Sequence, residues 1–68
     1  MEKGWILIFT ANNLQEAEMM KGLLFQNEIT AVDINKQSSA HLIGEIEIYV
    51  QSTDVIRAKQ LISKQQEN

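Results

Sequence analysis

With 68 residues, the chain has room for one domain, 1–68, and for a core that stays small. It contains no cysteine, which excludes disulfides and thiolate metal sites. Six Lys and Arg against nine Asp and Glu give a net charge of −3. The cations are scattered at Lys3, Lys21, Lys36, Arg57, Lys59 and Lys64, so no basic stripe offers itself to a nucleic acid.

The first element is Trp5-Ile6-Leu7-Ile8-Phe9, short and rich in aromatic and β-branched residues, which predicts a strand. Strict alternation would place Trp5, Leu7 and Phe9 on one face and Ile6 and Ile8 on the other. At five residues, the run is too short for a signal peptide core or a membrane span, so we expect no membrane and a soluble, cytoplasmic protein.

Asn13 followed by Glu16 has capping-box spacing, and Leu14, Ala17, Met20 and Leu24 recur at helical intervals behind it. Met19 falls beside that stripe. The helix should close near Gln26-Asn27, with Asn27 as the left-handed residue. From Ile29 to Asn35, Val32 and Ile34 alternate with Ala31 and Asp33, which predicts a half-buried strand with Val32 and Ile34 inward. Lys36 to Gly44 is polar and reads as a loop.

Glu45 to Val50 alternates cleanly, with Ile46, Ile48 and Val50 inward and Glu45, Glu47 and Tyr49 outward. Ser52, Thr53 and Asp54 are cap candidates for a second helix whose apolar face is Val55, Ala58, Leu61 and Ile62. Residues 62–68 form a polar helical tail. The order is β-α-β-β-α, an α+β split β-α-β arrangement. Right-handed crossovers give an antiparallel sheet of order 1-3-2 with two helices on one face, and Asp33, Glu45 and Glu47 on the other.

Several of these features together resemble a family of small bacterial domains of unknown function, described as putative prokaryotic signal-transducing proteins. The features are the opening strand (Trp5, Ile8, Phe9), the capped helix with Ala17 and Leu24, and the turn from Asn27 to Ile29. Gly44 before a strand that closes on Val50, and Ala58 and Leu61 in the last helix, complete the pattern. The likeness covers residues 4 to 62. It implies a ferredoxin-like fold, here without the last strand, related to nitrogen-regulatory and amino-acid-sensing domains. One departure is the first helix exit, where such domains often carry glycine and this chain has Glu28.

Few residues invite chemistry. His41 is the single histidine and has no second histidine or cysteine with which to share a metal. Ser38, Ser39 and His41 are neighbours in a loop without an orienting third group. Glu45 and Glu47 share a strand face, a separation that suits acid–base work or simply a solvated sheet. The three glycines are far apart and form no phosphate loop. We therefore expect no catalytic residue, no metal and no cofactor. The expectation is a regulatory or protein-interaction domain with Trp5, Leu7 and Phe9 at its interface. It would form a homo-oligomer, a dimer, or dock on a larger protein. The alternative is a metabolite-sensing domain, with Lys36, Ser38 and His41 as its ligand loop.

Overall fold

A computed structural model describes residues 4–36 and 45–66. The elements are β1 (Trp5–Ala11), α1 (Leu14–Gln26), β2 (Ala31–Asn35), β3 (Ile46–Gln51) and α2 (Val55–Gln66). A short 3-10 turn, Ser52–Asp54, leads into α2. The sheet has three antiparallel strands in the order β1-β3-β2, and both helices lie on one of its faces. This is the α+β split β-α-β arrangement that the sequence predicts.

The core lies between sheet and helices. Ile46, Ile48 and Val50 from β3 are fully buried against Ala17, Met20 and Leu24 of α1 and Ala58 and Ile62 of α2. Small alanines on each helix let the helices approach the sheet closely. Leu61 and Val55 pack half-buried at the rim. Leu14, expected on the apolar stripe, is the first residue of α1 and is exposed.

Both ends of α1 follow local chemistry. The Asn13 side chain accepts from the Glu16 N–H at 2.8 Å, and the Glu16 carboxylate accepts from the Asn12 N–H at 2.8 Å. The pairing is a capping box shifted back by one residue. At the other end the Ile29 N–H donates to the Leu24 carbonyl at 2.9 Å and the Glu28 N–H to the Phe25 carbonyl at 3.0 Å. That pair of bonds is a Schellman closure, with Ile29 and Leu24 both buried as its apolar clasp. Its left-handed residue is Glu28, at φ 62°, and not Asn27, which sits at φ −106°. The Asn27 side chain instead donates to the Leu23 carbonyl at 2.9 Å, which holds it at the last right-handed position.

The sheet register departs from strict alternation twice. In β1, Ile6 pairs with Val50 and Leu7 with Tyr49, but Phe9 pairs with Ile48. Ile8 is an extra residue, and the bulge it makes carries Phe9 round to the helix side, away from Trp5 and Leu7. In β2, Ala31 pairs with Val50 and Asp33 with Ile48, so these two share the core face. Val32 and Ile34 lie opposite Tyr49 and Glu47 on the other face, and are half-buried rather than core. The expected phase of β2 is thus reversed. In this phase Asp33 meets the Lys21 ammonium of α1 at 2.8 Å, and small Ala31 takes the buried position.

Candidate functional site: the uncovered face of the sheet

With both helices on one side, the opposite face of the sheet has no layer over it among the described residues. The register assigns its side chains. Trp5, Leu7 and Thr10 come from β1, Glu47, Tyr49 and Gln51 from β3, and Val32 and Ile34 from β2. Leu7 is 43% exposed, and Trp5, Val32, Ile34 and Tyr49 are half-buried. Soluble domains usually keep such a face polar. Here one end of it, from Trp5 across Tyr49 to Val32, carries no charge.

Charge gathers at the other end and is internally balanced. The Tyr49 hydroxyl donates to Glu47 Oε1 at 2.7 Å, and the Lys36 ammonium lies 3.3 Å from the same oxygen. The hydroxyl, then the ammonium, hold the Glu47 carboxyl below the usual glutamate range, and the same bond holds the Tyr49 phenol above its usual value. Glu47 is therefore an occupied carboxylate, committed to two neighbours. Glu45 lies at the margin, exposed, with its carbonyl bonded to the Lys36 N–H at 2.8 Å.

The edge of this face at β1 is built to a pattern that the bonds reveal. The Ser52 N–H donates to the Gly4 carbonyl at 2.7 Å, in the same register that pairs Ile6 with Val50. In an antiparallel ladder, bonded and non-bonded pairs alternate. Gly4 and Ile6 thus bond inward to β3, while the N–H and C=O groups of Trp5 and Leu7 point away from the sheet. Gly4 fixes the start of this segment: its φ is +96°, and a side-chain carbon there would come within 2.9 Å of Gln51 Oε1.

Of the expected site residues, Trp5 and Leu7 lie together on the uncovered face, whereas Phe9 packs half-buried against the core. Lys36 turns to Glu47. Ser38 and His41 fall in 37–44, outside the described residues. Val32, Ile34 and Tyr49 were not singled out as site residues. One signal for them was available: Lys21 sits beside Ala17, Met20 and Leu24 on α1, and a lysine next to a buried stripe calls for an acid on the sheet opposite. Asp33 is that acid, and placing it inward turns Val32 and Ile34 outward.

A groove of about 210 Å³ runs between the end of α1 and α2, lined by Asn27, Arg57, Gln60, Leu61 and Lys64. Arg57 is already engaged there, donating to the Asn27 carbonyl at 2.7 Å and lying 3.7 Å from Asp54. A second depression is bordered by Lys59, Gln60, Ser63 and Lys64, all on one side of α2 and with no opposing wall. Among the described residues, no three His, Cys, Asp or Glu side chains gather as a metal site would require, and no helix is long and apolar enough to cross a membrane.

The family described as "Putative prokaryotic signal transducing protein" matches residues 5–66, from the first residue of β1 to the last of α2. The chain belongs to this family. The match takes in both helices and all three strands, and so the uncovered face as well. No curated protein and no solved structure matches the chain.

Proposed function

We propose that the chain is a non-catalytic protein-interaction domain of a signalling pathway, and that it binds through the uncovered face of its sheet. The family description supports the signalling context. The observation that carries the binding role is the apolar cluster Trp5, Leu7, Tyr49, Val32 and Ile34, on a face with no layer over it among the described residues. An apolar area bounded by charges on one side is how protein contact sites look, and tryptophan and tyrosine are the side chains that most often anchor them. Leaving catalysis out of the role is supported by Glu47, whose carboxylate is taken up by Tyr49 and Lys36.

The alternative, a metabolite-sensing domain, needs a walled pocket of about 300–1,000 Å³ with convergent polar groups. The groove at Arg57 is smaller, and its guanidinium is already bonded. The depression on α2 is large enough, at about 500 Å³, but it is lined by one side of a single helix and so is not walled. The test is comparative capture from the native cell. Wild-type protein and a Val32→Glu/Ile34→Glu variant with the same circular dichroism are used as baits. Partners retained by the wild type and lost by the variant support the reading. Equal retention by both, or stabilisation of the wild type by a metabolite panel with no face-dependent partner, overturns it.

A further inference from the structure

The edge of β1 carries a second surface. Ile6 and Leu7 are adjacent, point to opposite faces of the sheet, and are 41% and 43% exposed. A partner lying on the uncovered face reaches Leu7 but not Ile6. One lying on the helix side reaches Ile6 but not Leu7. Only a strand laid along the edge touches both, and it also takes up the outward backbone groups of Trp5 and Leu7.

We propose that this strand is β1 of a second copy, paired antiparallel about a two-fold axis at Ile6. Three observations select that occupant and register. The regular part of β1 runs from the positive-φ Gly4 to the bulge at Ile8, so its centre is Ile6. A two-fold axis there sets Trp5 opposite Leu7 of the partner and Leu7 opposite Trp5 of the partner. Both members of each pair offer free N–H and C=O groups to the seam, which gives four hydrogen bonds and leaves Ile6 facing its own copy as a non-bonded pair. Charge permits it as well: each copy carries −3, yet residues 4 to 13 contain no charged side chain, so no like charges meet across the seam.

The result is a six-stranded antiparallel sheet of order β2-β3-β1-β1-β3-β2. Ile6 meets Ile6 on the helix side, and Trp5 meets Leu7 on the open side. The two uncovered faces join into one, with two copies of the Trp5, Tyr49, Val32 cluster on the same side. The inference rests on the proposed interaction role only for its purpose. A dimer without a face-dependent partner, or the reverse, would separate the two.

The other edge, β2, is a poorer candidate. It carries Asp33, committed to Lys21, and ends at Lys36, committed to Glu47. The bulge in β1 limits how long a partner strand can pair, so the association should be weak and concentration-dependent.

Cysteine crosslinking tests the register, since the natural chain has no thiol. Across a non-bonded antiparallel pair the Cα atoms lie about 4.5 Å apart, within the range of about 4.4–6.8 Å that a disulfide spans. Under mild oxidation Ile6→Cys should give a covalent dimer at twice the 7.8 kDa chain mass, faster than Leu7→Cys and much faster than Ile34→Cys. Sedimentation equilibrium of the unmodified chain should show the same doubled mass as concentration rises. Crosslinking fastest at Leu7 or Ile34 would mean face-to-face stacking and would overturn the proposal. So would a wild-type mass that stays at one chain throughout, whatever the variants do.

Discussion

At the scale of single residues, the exit of α1 holds strain that one substitution should release. A non-glycine residue at φ 62° costs roughly 1–2 kcal/mol relative to the right-handed region, and glycine does not bear that cost. Some of the gain is lost again to the wider freedom of glycine in the unfolded chain. Glu28→Gly should therefore stabilise the domain by about 0.5–1 kcal/mol, read from urea midpoints. A loss of stability would show that the Glu28 side chain makes a contribution beyond its backbone. The sequence already hinted at this position, since glycine is common there in similar domains. What it did not resolve is which of Asn27 and Glu28 turns left-handed, because asparagine is normally the better left-handed residue.

Glu47 gives the second prediction at this scale. Its folded pKa lies below the ordinary value, so its contribution to stability is complete above the unfolded value and is lost as pH falls through the folded one. The Tyr49 hydroxyl is the larger cause. Tyr49→Phe should raise the Glu47 pKa measured by NMR titration and flatten the acid limb of stability. Lys36→Ala should do so less. An unchanged Glu47 titration in Tyr49→Phe would mean that the hydrogen bond is not what holds the carboxylate.

At the scale of elements, β2 and β3 were legible from their period of two, and β1 from its shortness and its aromatic and β-branched residues. β3 was read correctly in phase, since its two faces differ sharply: isoleucines and valine against glutamate, tyrosine and glutamine. β2 was not, because its faces differ less and its phase is set from outside. A one-residue slip exchanges the faces of a whole strand, and here Asp33 pairs with Lys21 and Ala31 is buried, while Val32 and Ile34 lie half-buried on the other face. The bulge in β1 was invisible for a similar reason. Every residue from Trp5 to Phe9 is apolar, so no polar position marks where the alternation breaks. The consequence is measurable. Val32→Lys, on the uncovered face, should cost less than about 1 kcal/mol, whereas Ile48→Ala in the core should cost about 2–5 kcal/mol. Equal costs would restore the phase expected from sequence, with Val32 and Ile34 inward.

At the scale of the whole molecule, the described residues form two layers where a sheet with two apolar sides calls for three. A core of this size rarely supplies more than roughly 3–5 kcal/mol. Yet Trp5, Leu7, Tyr49, Val32 and Ile34 remain outside it, on a face without helices. Such side chains add little to the stability of a lone chain and much to association. Of the candidate site, the anchors Trp5 and Leu7 were legible in sequence because aromatic and aliphatic residues at an edge strand have nowhere else to go. Val32, Ile34 and Tyr49 became part of it only once three strands were set side by side, since the face is a product of register and not of any one segment.

The central claim is that the β1 edge and the face beside it are contact surface, completed by a second chain. Amide hydrogen exchange at three consecutive residues tests it most directly. The Ile6 amide bonds inward to β3 and serves as the internal reference for a folded strand. The Trp5 and Leu7 amides point outward. They should be protected at high protein concentration and lose that protection on dilution, while Ile6 stays protected. Fast exchange at Trp5 and Leu7 at every concentration, with Ile6 still protected, would contradict it.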